Sequence, residues 1–145
     1  MGLKDLIRGK RVYFDAMIFI YLIENYLPLK IQLMDIKDSL SLAETNIVTS
    51  HLTLCETLVV PFRNENTKLI AQYYNFICKS RIFELYETNL DTYIRASLFR
   101  SQYGLKTPDA IHVSTAVRAN CEFFLTNDKF IKTPSSLRVI NIKDM

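Results

Sequence analysis

Short apolar runs rich in β-branched and aromatic residues alternate with longer amphipathic stretches along this whole chain, with no linker, repeat or compositional break. Strands separated by helices must be joined by crossovers, which are right-handed and build a mostly parallel sheet. Residues 11–15, 46–50, 82–86, 123–126 and 138–142 read as the strands. Helical spacing of apolar side chains places helices at 17–25, 29–44, 52–59, 66–80, 90–103 and 107–120. Pro61 should end or bend the third of these, and Gly104 should stop the fifth. Thr107-Pro108-Asp109 reads as a helix start: a hydroxyl cap, proline at the first helical position and a carboxylate in the first turn. The expectation is an α/β fold, one domain over residues 1–145, with a mostly parallel central sheet of about five strands and helices on both faces. Three glycines and four prolines are too few for the many turns of an all-β sandwich.

Charge excludes little, since 18 Lys and Arg stand against 15 Asp and Glu for a net charge of +3. Cys55, Cys78 and Cys121 lack the close pairing of a structural zinc site or a CxxC redox motif, so they read as reduced, buried thiols. The strongly apolar stretch 16–23 has eight residues, where a bilayer crossing needs about 20. The first residues show no charged-then-apolar export leader, and a cytoplasmic location is expected.

In a parallel sheet, ligands bind at the carboxyl ends of the strands. Four carboxylates fall there: Asp15 closing the first strand, Glu56 in the helix after the second, Asp109 opening the helix before the fourth, and Asp128 just beyond the fourth. Phe14-Asp15-Ala16, Cys55-Glu56-Thr57-Leu58 and Pro108-Asp109-Ala110-Ile111 are apolar settings, in which an ionised group needs a partner. No basic residue adjoins the first three acids, the nearest being Lys106. Clustered carboxylates repel, and a hard divalent cation with oxygen ligands removes that repulsion; magnesium or manganese suits a site of acids and water. Such an ion can activate water and stabilise charge on a phosphate.

Four motifs carry a family resemblance. Tyr13-Phe14-Asp15 followed by an apolar helix, Ser50-x-x-Thr53-x-x-Glu56, Thr107-Pro108-Asp109-Ala110-Ile111-His112-Val113-Ser114-Thr115-Ala116, and Phe124-Leu125-Thr126-Asn127-Asp128-Lys129-Phe130 together resemble the PIN domain, particularly ribonuclease toxins of the VapC type. The resemblance spans residues 11–142, in the family's order. It implies that Asp15, Glu56, Asp109 and Asp128 are the metal-binding and catalytic carboxylates of a magnesium- or manganese-dependent endoribonuclease acting on RNA. It further implies 3′-hydroxyl and 5′-phosphate products, a homodimer, and a small antitoxin that masks the acidic pocket. The family usually has Thr or Ser, then Asn or Ser, directly after the first acid; here Ala16 and Met17 stand there. Thr126 is available as a supporting hydroxyl.

Two other readings follow. Ala16 and Met17 suggest a catalytically weak PIN fold that binds RNA or protein, and an RNA-processing PIN nuclease that is not a toxin has the same site. Each acid also has a plain structural role open to it. Asp109 can serve the helix dipole, Glu56 can be a solvated helix residue, and Asp128 can belong to a turn. His112 and His51 read as packed or hydrogen-bonded histidines, with contact to substrate as the other role for His112, and Ser50 and Thr53 as helix caps. Arg95, Arg100 and Lys106, interleaved with Tyr93, Phe99 and Tyr103, suit single-stranded RNA or a solvated helix face. Lys129 and Lys132 lie beside the fourth acid and are better placed to meet a scissile strand. Thr126, Lys129 and Lys106 are the candidate substrate-binding residues.

Overall fold

The computed structural model describes residues 2–42 and 44–145. Strands β1 (Arg11–Phe14), β2 (Asn46–Thr49), β3 (Phe83–Leu85), β4 (Phe123–Thr126) and β5 (Arg138–Asn141) form one sheet in the order β3-β2-β1-β4-β5. Every pairing is parallel. The helices among the described residues are α1 (Leu3–Ile7), α2 (Ala16–Glu24), α3 (Lys30–Leu42), α4 (His51–Arg63), α5 (Thr67–Tyr74), α6 (Leu90–Tyr103) and α7 (Thr107–Arg118).

Alternation along the strands divides the core into two layers. Val12 and Phe14 of β1, with Ile47, Phe123 and Leu125, pack against α1, α2, α3 and α5 through residues such as Leu3, Phe19, Ile36 and Tyr73. Tyr13, Val48 and Phe124 face the other way, onto Ala96 and Phe99 of α6 and Val113 and Ala116 of α7. A slip of one residue would exchange the two sets, which is what fixes the register.

The chain steps outward from β1 to β2 and β3, then returns to lay β4 and β5 on the opposite side of β1. The order therefore reverses between β1 and β4, the kind of switch point at whose carboxyl ends ligands bind in open parallel sheets.

Several sequence expectations shift locally. Helix α4 runs through Pro61 to Arg63 rather than ending there, because a proline this near the terminus removes only one late hydrogen bond. Thr107 is the first residue of α7, with Lys106 at the cap and no side-chain cap, so the expected hydroxyl cap is absent. The 66–80 helix is α5 continued by a π-helical turn at Asn75–Lys79. Ile31 and Met34, expected on the apolar face of α3, are exposed; Leu33 and Ile36 make its buried contact. All three cysteines are free, but only Cys121 is buried and Cys55 is exposed. Helix α1 had no signal strong enough to anticipate. Among the described residues no helix is long and apolar enough to cross a membrane.

Candidate active site

Asp15 directly follows β1 and caps α2. Its Oδ1 accepts from the Ala16 backbone N–H at 2.8 Å, and its Oδ2 accepts from the Thr126 hydroxyl at 2.7 Å. Thr126 is the last residue of β4 and is fully buried. Its Oγ1 also accepts from the Asp128 N–H at 3.1 Å, so one hydroxyl ties the first and fourth acids to neighbouring strand ends. Asp128 accepts in turn from the Phe130 N–H at 2.8 Å, which gives it the turn role as well.

Glu56 projects from the second turn of α4, and Asp109 from the first turn of α7. Between them lies His112, one turn beyond Asp109 and completely buried. Its Nε2 hydrogen-bonds Glu56 Oε1 and lies 3.8 Å from Asp15 Oδ1. Its Nδ1 is 2.6 Å from the hydroxyl of Tyr13, whose oxygen also lies 3.0 Å from Ser50 Oγ. Burial, followed by the negative charges of Asp15 and Asp128 and, more weakly, Glu56, raises the Asp109 carboxyl above its ordinary range; His112 acts in the opposite sense. These acids thus sense one another electrostatically, although 41, 53 and 19 positions separate them in sequence. Among the described residues, no Lys or Arg forms an ion pair with any of the four.

The site lies at the carboxyl edge of the sheet, just beyond the paired ends of β1 and β4. Residues 12–134 match the PIN domain family. The chain belongs to the PIN domain family. No curated protein gives a significant match. Solved structures with a similar fold include a toxin–antitoxin complex from Klebsiella pneumoniae, with a TM-score of 0.62 and 21% identity over 87% of this chain and 94% of that one. Another is VapBC2 from Rickettsia felis bound to a DNA fragment from their promoter, with a TM-score of 0.69 and 14% identity over 90% and 98% of the two chains. At these identities the likeness is one of fold.

The donor chemistry of this PIN domain fits a hard divalent cation. Among the described residues, no three His, Cys, Asp or Glu side chains are gathered into a finished cage. Magnesium does not demand one, because it keeps several waters and takes one or two carboxylates. Burial and the charges of Asp15, Asp128 and Glu56 raise the Asp109 carboxyl against the opposing effect of His112, and a bound cation would relieve that repulsion.

The basic residues divide. Arg95 pairs with Asp91 at 2.8 Å, and Arg100 Nε donates to the Leu105 carbonyl at 3.2 Å, so both have local partners. Phe99 is buried, which removes it from any RNA-stacking face. Lys106, Lys129 and Lys132 are exposed. Lys129 sits beside an open cleft of about 690 Å³ lined by Asn127, Asp128, Phe130, Asn141 and Lys143.

Sequence reasoning missed Tyr13 as part of this site, placed Ser50 at the right helix end without its contact, and misassigned Thr53. Ser50 does occupy the N-cap of α4 but makes no side-chain cap and hydrogen-bonds the Tyr13 hydroxyl instead, while Thr53 Oγ1 lies 2.7 Å from Thr49 Oγ1. A tyrosine in mid-strand was the available signal, since a buried phenol needs a polar partner. Burial pushes its hydroxyl far above the ordinary range and keeps it protonated.

Proposed function

We propose that this PIN domain is a magnesium- or manganese-dependent endoribonuclease of the VapC toxin type, hydrolysing RNA phosphodiesters at the carboxyl ends of β1 and β4. The observation carrying this reading is the crowding of Asp15, Glu56, Asp109 and Asp128 at the sheet's switch point, felt as the raised Asp109 carboxyl, without a Lys or Arg to neutralise it.

Those four side chains would hold the cation, which supplies Lewis acidity toward water and phosphate when bound. The protein's own share is orientation. The Ala16 N–H and the Thr126 hydroxyl fix both oxygens of Asp15, and Thr126 sets Asp128 beside it. Lys129 and Lys106, both exposed, supply positive charge for the phosphates of a bound strand.

The fold shared with toxin–antitoxin complexes supports a small protein antitoxin as partner. A homodimer and a cytoplasmic location complete the reading. A binding module without turnover, suggested by Ala16 and Met17, is less well supported, since Thr126 and a backbone N–H already hold Asp15.

The test is cleavage of RNA by the pure protein. Activity with Mg²⁺ or Mn²⁺ that disappears in EDTA and in Asp15→Asn and Asp109→Asn is expected. Cleavage that persists in any of these rejects the proposal. Growth arrest on expression, relieved by a small neighbouring gene product, separates a toxin from an RNA-processing enzyme.

A further inference from the structure

His112 is a fully buried polar group of the site that the nuclease reading leaves without a task. It has no solvent exposure, and both ring nitrogens are engaged, Nδ1 by the Tyr13 hydroxyl at 2.6 Å and Nε2 by Glu56. A nitrogen facing a carboxylate oxygen must present a hydrogen. In the Nε2–H tautomer and in the imidazolium alike, Nε2 is therefore the donor. Nε2 then has no lone pair for a metal, and Nδ1 is occupied by the Tyr13 hydroxyl, so the ring is not a ligand.

Its neighbours hold the ring rather than use it. Tyr13 meets it edge-on, with centroids 5.6 Å apart, and is itself fully buried and stacked on Phe124 at 5.3 Å. The Tyr13 hydroxyl is anchored in turn to Ser50 Oγ, at the start of the helix that carries Glu56. Strand β1 and helices α4 and α7 thus meet at one imidazole.

Glu56 has the opposite character. Its side chain is 34% exposed on a helix, and a free glutamate there would sample several rotamers. One oxygen is taken by His112, while Oε2 makes no hydrogen bond among the described residues and stays available.

We propose that His112 is a positioning residue: its buried Nε2–H, braced by Tyr13 and Ser50, holds Glu56 Oε1 so that Oε2 is presented to a divalent cation. The inference rests on the nuclease reading and names the device that preorganises one of its ligands. Partners of metal ligands typically carry about 10–100-fold in metal affinity.

The experiment measures Mn²⁺ binding by calorimetry, without RNA, for the wild type, His112→Leu and His112→Gln. Leucine removes the donor, whereas the glutamine amide can replace it. The expected result is affinity about 10–100-fold weaker in His112→Leu and restored in His112→Gln. Wild-type affinity in His112→Leu overturns the inference and leaves the nuclease reading intact. A His112→Gln variant as weak as His112→Leu also overturns it, because a packing role predicts that pattern. Failure of the wild type to bind Mn²⁺ overturns the nuclease reading and this inference together.

A second measurement does not depend on any variant folding. Long-range ¹H–¹⁵N correlation of the two histidine rings of metal-free wild type should show the buried one with hydrogen on Nε2. A ring protonated on Nδ1 alone overturns the inference.

Discussion

The Thr126 hydroxyl donates to Asp15 Oδ2 at 2.7 Å, joining residues 111 apart in sequence across the ends of adjacent parallel strands. The same oxygen accepts from the Asp128 N–H, so removing it strips a partner from two acids of the site. Thr126→Val keeps the shape and deletes the hydroxyl. It should destabilise the protein by about 1–3 kcal/mol, read by urea unfolding. It should also weaken Mn²⁺ binding by about 10–100-fold, while Thr126→Ser, which restores the donor, recovers most of both. Equal losses in the two variants would assign the effect to the methyl group instead.

The raised Asp109 carboxyl sets a sign for the pH dependence. The native state holds the Asp109 proton above the unfolded value of about 3.9, so between the two values it binds more protons than the unfolded chain. Stability from this group is present below about pH 3.9 and is lost as pH rises through the folded value. Asp109→Asn should therefore melt higher than the metal-free wild type at neutral pH, with the difference shrinking as the pH falls toward 4. Added Mn²⁺ should raise the wild-type melting temperature much more than that of the variant. Thermal melts across pH, with and without Mn²⁺, check both halves.

The positions of the five strands and of the main helices were legible because period-2 and helical patterns report which face is buried, and each acid lies beside such a boundary. Asp15 and Asp128 could be placed at one edge from connectivity alone, since parallel strands put their carboxyl ends together. The brace around Glu56 could not be read, because Tyr13 and His112 are 99 positions apart and either alone looks like an ordinary core residue. Periodicity misjudged Ile31 and Met34 for a related reason: it shows that a helix has an apolar stripe, not how much of the stripe something covers. Cys55 was misread because cysteine's average preference for burial carries no information about which face of α4 it occupies.

A second pH effect runs the other way. Arg11 reaches past β2 to Glu84 of β3 at 2.7 Å, and its hydrogen bond holds the Glu84 carboxyl below the usual range. That contribution is present above the unfolded value of about 4.3 and is lost as pH falls through the folded one. Because Glu84 is half exposed, the pair should be worth only about 0.2–1 kcal/mol. Glu84→Gln should be less stable than the wild type at pH 7 by that amount and indistinguishable near the acid end of the unfolding curve. Denaturant melts at the two pH values provide the comparison.

Lys129 and Lys143 flank the open cleft next to Asp128, whereas Lys10 lies at the amino edge of the sheet and pairs with Glu122 at 3.3 Å. If the scissile strand crosses the carboxyl edge, phosphates meet the first two lysines and not the third. Lys129→Ala and Lys143→Ala should each raise KM for RNA with little change in kcat, because a phosphate contact of this kind holds the strand in both ground and transition states. Each lost contact should lower the slope of log affinity against log salt by roughly 0.7 for single-stranded RNA. Lys10→Ala should leave the slope unchanged, and Mn²⁺ affinity should stay near wild type in all three. Filter binding across a salt series, with a catalytically silent Asp15→Asn background to prevent cleavage, gives the slopes. An equal fall in slope for Lys10→Ala would mean that RNA binding follows overall charge rather than this edge.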